Sequence, residues 1–163
     1  MVKSPVNLDA VYSNNVGTFQ KIANTVLPVK YPSKFFEEQF DDKANTTVFA
    51  QLGYFGEVAV GGVRAELIAS KNGGVQSAGV YIQILAVLEA YRSKGLGTAL
   101  LNYIEEQTKS HYQHKIFVHV AVDNQEALEW YQRKDFRIEG DVLPNYYKET
   151  SGSPDAYVLL KKV

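Results

Sequence analysis

The sequence predicts an α/β (α+β) fold: one mixed, mostly antiparallel central sheet flanked by helices on both faces. Three observations predict it. Two β-rich runs lie back to back before residue 70. From Val80 onward, strand-like and helix-like segments alternate. Val80 to Leu88 is almost continuously apolar and β-branched, as expected of a central strand covered on both faces.

The elements follow in order. Asn7 to Tyr12 reads as a short strand, and Ser13 or Asn14 caps a helix carrying Val16, Phe19, Ile22, Ala23 and Val26 at helical spacing. That helix stops at Leu27-Pro28, because Pro28 and Pro32 each lack an N–H and restrict the residue before them. Ser33 caps a second short helix with Phe35, Phe36 and Phe40. Thr47 to Leu52 and Glu57 to Ile68 form a hairpin through Gly53-Tyr54-Phe55-Gly56, and Gly61-Gly62 signals a bulge or a close backbone approach. Residues 70–79 carry turn chemistry without periodicity and read as a surface loop. After the central strand, which Gln83 interrupts, Leu96, Leu100, Leu101, Ile104 and Thr108 mark a helix to Ser110. Lys115 to Val122 is a strand, and Asn124 to Lys134 a helix capped by Asp123 or Asn124. Phe136 to Ile138 and Ala156 to Leu160 close the sheet.

Composition bounds the function. A chain of 163 residues, 45% hydrophobic, supports one good core and is too short for two ordinary ones, so 1–163 is expected to be a single domain. Seventeen basic against eighteen acidic residues give a net charge of −1, which offers no global field for nucleic acid or an anionic membrane, so neither is an expected partner. Without cysteine there is no disulfide framework and no thiolate metal ligand. No apolar run approaches the ~20 residues of a membrane span, and no signal-peptide core opens the chain; the expectation is a soluble cytoplasmic protein.

The chemistry gathers at Tyr91-Arg92-Ser93-Lys94-Gly95-Leu96-Gly97, between the central strand and the helix that follows. Arg92-x-x-Gly95-x-Gly97 removes Cβ atoms where amides would approach a ligand, and it opens a helix whose N-terminus favours an anion, so a phosphate group is its functional reading. A plain strand-to-helix turn uses the same glycines. Period-two alternation groups Tyr81, Gln83, Leu85 and Val87 on one strand face and Phe117, His119 and Ala121 on another; on neighbouring strands Tyr81 and His119 would meet. A lone strand histidine also reads as a hydrogen-bonded sheet residue, and Tyr131 as a core aromatic. No histidine and carboxylate spacing indicates a metal.

An apolar strand, Arg-x-x-Gly-x-Gly, a helix, a second apolar strand and Asn124-x-x-Ala127-x-x-x-Tyr131 together resemble the acetyl-CoA-binding half of the GCN-related N-acetyltransferase (GNAT) superfamily. Leu27-Pro28-Val29-Lys30-Tyr31, Val80-Tyr81-Ile82, Tyr91-Arg92, Val118-His119-Val120 and Asn145-Tyr146-Tyr147-Lys148 resemble, within it, the NatE-type catalytic subunits of protein N-terminal α-acetyltransferases. The resemblance implies a GNAT fold and transfer of acetyl from acetyl-CoA, without a metal and by direct attack in a ternary complex. The acceptor would be the α-amino group of nascent chains or peptides that begin with methionine and an apolar residue. It implies acetyl-CoA contacts at Leu85, Ala86 and Val87, at Arg92, Ser93, Lys94, Gly95, Leu96, Gly97 and Thr98, and at Asn124 and Tyr131. His119 would act as base through a water shared with Tyr81, and Tyr131 would meet the departing sulfur. The peptide would meet Leu27, Pro28, Val29, Tyr31, Tyr81, Gln83, His119, Tyr146 and Tyr147. A ribosome-anchoring auxiliary subunit and a second catalytic subunit are the implied partners.

The residues suit that chemistry. An α-amine titrates at about 7.7–8.0 against about 10.4 for lysine, so a histidine near 6.5 is a sufficient base. Gln83 and Thr150 depart from the apolar residues of the resembling proteins, which leaves the substrate's second residue open. Two other readings stand: an internal-lysine acetyltransferase, and a weakly active or structural subunit of a ribosome-associated complex.

Overall fold

The computed structural model describes residues 5–27, 30–37, 47–68, 78–147, 150 and 152–163. In chain order its elements are β1 (Val6–Ala10), α1 (Val16–Val26), α2 (Ser33–Glu37), β2 (Thr47–Phe55), β3 (Val58–Ile68) and β4 (Gly79–Val87), a 3-10 turn at Glu89–Tyr91, then α3 (Leu96–Ser110), β5 (Lys115–Ala121), α4 (Gln125–Arg133), β6 (Arg137–Ile138) and β7 (Ala156–Lys162). The seven strands form one sheet ordered β1-β2-β3-β4-β5-β7-β6. Every neighbouring pair is antiparallel except β4 with β5, so the mixed, mostly antiparallel sheet expected from sequence is the one observed.

Helices cover both faces. On one, Leu96, Leu100, Leu101 and Ile104 of α3 and Leu128 and Tyr131 of α4 pack on Val63, Ala65, Val80, Ile82, Ile116 and Val118. On the other, Phe19, Ile22 and Ala23 of α1 and Phe36 of α2 pack on Leu52, Ile84 and Ala86. The three-and-four spacing of the α3 residues is what turns one stripe of that helix onto the sheet.

Several local expectations need correction. The residue before α1 is Asn15, and its Oδ1 accepts from Tyr12 N at 2.6 Å instead of capping the helix, so neither Ser13 nor Asn14 is the cap. β2 runs on to Phe55, and the hairpin turns at Gly56-Glu57, where Gly56 has φ +64°. Gly53 lies within β2, paired with Gly61, and close approach explains the glycine: a Cβ there would sit 2.7 Å from Leu96 Cδ1. Close approach also explains Gly61, whose Cβ would come 2.8 Å from the Ala86 carbonyl oxygen. Phe40 and residues 70–77 of the expected loop lie outside the described residues.

Two irregularities of β4 position the site. Its parallel pairing with β5 has three rungs, Val80 with Ile116, Tyr81 with Phe117 and Ile82 with Val118; beyond them the strands part. Its register with β3 skips from Ala65–Ile82 to Arg64–Ile84, which makes Gln83 the extra residue of a β-bulge. A bulge reverses the alternation. Leu85 and Val87 pack with the α3 and α4 cluster while Ile84 and Ala86 face α1, so the expected grouping of Tyr81, Gln83, Leu85 and Val87 on one face is wrong beyond Gln83.

Candidate active site

A cleft of about 640 Å³ opens where β4 and β5 part, bounded by the end of α1, the start of α3 and one side of α4. At its outer end the chain leaves β4 through the 3-10 turn and enters the glycine loop. Arg92 fastens the loop: its Nε donates to Val87 O at 3.1 Å, and a guanidinium nitrogen lies 3.4 Å from Glu126 Oε1 of α4. Ser93 (φ +63°) and Gly95 (φ +85°) then turn left-handed. The first helical bond runs from Ala99 N to Gly95 O, and among the described residues the consecutive amides from Ser93 to Thr98 have no partner in the chain. Such a row of unpaired N–H groups at a helix start is an anion site.

Each glycine serves this differently. A Cβ on Gly95 would meet nothing within 4 Å, so that face of the loop is open; its glycine answers to the positive φ. A Cβ on Gly97 would be 3.1 Å from Trp130 Cζ2, so the missing side chain lets the indole of α4 close on the loop. Arg92, Arg133 and Lys134 also line the cleft and add positive charge around the amides. The open row of amides and the cations fit the phosphates of acetyl-CoA, and the edge of β4 that β5 leaves open beyond Ile82 fits its amide-bearing arm.

At the inner end the rings form a stack. Tyr81 lies parallel to Phe117 (4.5 Å between centroids, 13°) and nearly parallel to His119 (6.5 Å, 21°); His119 in turn carries Tyr146 (4.3 Å, 12°). Tyr81 and His119 thus share one face, as the alternation before the bulge predicts. Desolvation disfavours the imidazolium, so the pKa of His119 lies below the usual 6.5 and the ring is neutral near pH 7. Tyr147 O–H donates to the His119 carbonyl at 3.2 Å.

Burial raises the phenol pKa values of Tyr31 and Tyr146, and more strongly those of Tyr131 and Tyr147, which keeps all four protonated. Asn124 caps α4 by accepting from Ala127 N at 3.2 Å, which leaves its Nδ2 hydrogens to serve a ligand. Tyr31 is anchored by Asn24, whose Oδ1 accepts from Tyr31 N at 3.0 Å and whose Nδ2 donates to Tyr31 O at 3.2 Å. Its ring stacks on Phe35 and its hydroxyl donates to Gln83 O at 3.5 Å.

Of the residues singled out from sequence, Leu27, Tyr31, Gln83, Leu85, Val87, Arg92, Ser93, Leu96, Gly97, His119, Asn124, Tyr131 and Tyr147 line the cleft. Tyr81 and Tyr146 join it through the ring stack. Ala86 buries its methyl against α1, and Lys94 sits 5.5 Å over the Phe55 ring, so neither side chain turns into the cleft. Gly95 and Thr98 offer backbone amides. Pro28 and Val29 lie outside the described residues. Sequence reading missed Asn24, Trp130, Arg133 and Lys134. The available signal was the basic end of α4 and the presence there of the chain's single tryptophan.

A split mixed sheet whose anion-binding loop begins the helix after the split defines the class of CoA-dependent acyltransferases. The chain belongs to the Acetyltransferase (GNAT) family, which it matches over residues 16–136. It is 31% identical to N-alpha-acetyltransferase 50 of Danio rerio over 163 residues, covering 99% of this chain and 91% of the relative. It is likewise 31% identical to the protein named Probable N-acetyltransferase san of Drosophila melanogaster, covering 99% and 83%. Among solved structures it is similar to Arabidopsis thaliana Naa50 in complex with the bisubstrate analogue CoA-Ac-MVNAL, with a TM-score of 0.81, 29% identity and coverage of 98% of this chain and 99% of that one.

Proposed function

We propose that this protein is an acetyl-CoA-dependent N-terminal α-acetyltransferase acting on peptides that begin with methionine. The observation that carries the reading is one continuous cleft with partnerless amides at one end and the Tyr81–His119 face at the other. Its likeness to Arabidopsis Naa50, whose bound analogue joins CoA to the peptide MVNAL, supports the choice of substrate.

When bound, acetyl-CoA supplies an acyl group activated as a thioester. The chain's own residues do the rest. The loop amides fix the phosphates, so the acyl end is aimed between β4 and β5. His119, neutral near pH 7, takes the proton of the incoming amine through a water shared with Tyr81. Nitrogen bonds to the acyl carbon as the carbon–sulfur bond breaks with its electron pair on sulfur, and Tyr131, kept protonated by burial, stabilises the departing thiolate by an O–H hydrogen bond. A base weaker than ordinary histidine serves an α-amine near 8 far better than a lysine near 10.4, by about two powers of ten in the deprotonated fraction. From the sequence resemblance to NatE-type catalytic subunits we expect a cytoplasmic enzyme that works with a ribosome-anchoring subunit and a second catalytic subunit.

A peptide panel tests the reading. Free-amine peptides beginning with methionine should be acetylated, and an N-terminally blocked peptide carrying lysine should not. Modification of the blocked peptide at an equal rate would give the enzyme to lysine, and absence of turnover on every peptide would leave it a structural subunit.

A further inference from the structure

We infer that Asn24 and Arg64 are positioning residues for peptide binding: together they fix Tyr31 at the edge of the cleft, so that this part of the wall stands in place before a peptide arrives. This rests on the reading of the cleft as a peptide N-terminal site. Neither residue lines the cleft, so each acts through Tyr31, which does.

The backbone makes such a mounting necessary. Between the end of α1 and the start of α2, Tyr31 belongs to no helix and no strand, and among the described residues neither its N–H nor its carbonyl has a backbone partner. One side chain serves both. Asn24 Oδ1 accepts from Tyr31 N at 3.0 Å and Asn24 Nδ2 donates to Tyr31 O at 3.2 Å, which uses both ends of the carboxamide at once. Asn24 is itself well placed to do this, because its neighbours Ile22 and Ala23 bury α1 against Ile84 and Ala86 of β4. The backbone of Tyr31 is thereby referred to the strand that forms one lip of the cleft.

The side chain is held as well. The Tyr31 ring stacks on Phe35 of α2 (4.6 Å, 26°) and meets Phe36 edge-on (6.3 Å, 88°). Phe35 is in turn gripped by Arg64 of β3, whose guanidinium carbon lies 3.8 Å from the ring centroid and whose Nη1 donates to the Phe35 carbonyl. Arg64 is only 3% exposed. A guanidinium is costly to bury, and one that touches both the ring and the carbonyl of a single residue fixes that residue in orientation as well as in place. Three elements, α1, α2 and β3, thus converge on one tyrosine, whose hydroxyl reaches Gln83 O at 3.5 Å in the cleft. A wall ordered in advance spares the peptide the cost of ordering it; a loosened wall lowers affinity by the fraction of time it is out of place.

The test uses the full chain and a pentapeptide that begins Met-Val. Asn24→Ala loses both clamp bonds, each worth a factor of about 2 to 12, so the calorimetric Kd of the peptide with CoA present, and its KM, should rise roughly 5- to 30-fold. The kcat at saturating peptide and the Kd of acetyl-CoA should stay within about 2-fold, as expected when peptide binding alone is weakened. Asn24→Asp controls for shape: the carboxylate fits the same space but turns a second acceptor on Tyr31 O, so it should bind peptide as weakly as Asn24→Ala. Arg64→Met, which takes the cation off Phe35, should shift the peptide Kd in the same direction by a smaller factor. Melting curves establish which variants are folded, and if Arg64→Met is not, Arg64→Lys, which keeps the charge without the planar fork, takes its place. An unchanged peptide Kd in folded Asn24→Ala, full peptide affinity in Asn24→Asp, or equal losses of peptide and acetyl-CoA affinity overturns the inference and leaves Asn24 to the stability of the fold; an unchanged peptide Kd in the Arg64 variant removes Arg64 from it. A wild type that binds acetyl-CoA but no free-amine peptide overturns the reading of the cleft as a peptide site, a distinct result that takes the positioning role with it.

Discussion

Gly95→Ala separates the two jobs of the glycine loop. The backbone there has φ +85°, and a Cβ would meet nothing within 4 Å, so the substitution creates no clash. Its cost is conformational: an L-residue held left-handed loses about 1–2 kcal/mol. For a chain of 163 residues, at about 2–4 °C per kcal/mol, the melting temperature should fall by roughly 2–8 °C. Relief of that strain rotates neighbouring peptide planes and takes amides off the phosphates. Each charge-assisted bond lost costs about 1.5–3 kcal/mol, so acetyl-CoA should bind roughly 10- to 150-fold more weakly. Gly95→Asn is the companion, since asparagine tolerates the left-handed region: it should recover most of the melting temperature, yet place a carboxamide in the open space the anion needs. Thermal melts with and without acetyl-CoA, with calorimetric titration, measure both effects. If Gly95→Ala melts within about 1 °C of the wild type and binds acetyl-CoA equally well, the loop is neither conformationally committed nor the phosphate site.

Two further outcomes follow from the same geometry. The His119 pKa is depressed by burial, so the active base is lost only as pH falls through that lowered value: the acid limb of kcat/KM should have its midpoint below 6.5, and His119→Gln should remove it. The peptide's own amine titrates near 8 in both proteins, so the deciding feature is the additional fall below 6.5: if it survives His119→Gln, the base lies elsewhere. The chain's single tryptophan, Trp130, lines the cleft and leans on Gly97, so acetyl-CoA should change its fluorescence saturably. Binding seen by calorimetry with an unaltered emission spectrum would place the ligand away from α4.

What could be read without coordinates was whatever depends on near neighbours. The α3 stripe, the glycine loop and the Asn124 cap are each written within a few residues, and the cap bonds the amide three positions on, as capping chemistry requires. The juxtaposition of Tyr81 and His119 was legible because strand alternation is exact up to the bulge. Beyond it, counting by twos fails: nothing in Gln83-Ile84-Leu85 announces that one residue is extra, and the decision is made by the register against β3. Gly53 misled for a related reason. A glycine near a hairpin reads as a turn residue, but this one is small because Leu96, far along the chain, lies against it. Trp130, Arg133 and Lys134 reach the cleft only after α4 docks, and the Asn24 clamp on Tyr31 closes a loop whose ends no periodicity links.

The three rungs between β4 and β5 give the molecule a mechanical character. Sheets ordinarily yield at an edge, where one side of a strand has no neighbour; here the shortest ladder among the longer strands lies in the interior, and it divides β1–β4 from β5–β7. Leu100, Leu101 and Ile104 of α3 are buried in the cluster that includes Val80 and Ile82 on one side of this line and Ile116 and Val118 on the other. The helix therefore works as a strap across a seam. A molecule gripped at the first turn of α3 and along both lips of the seam is tied at the place where it would otherwise tear, so occupying the cleft braces the whole sheet against shear.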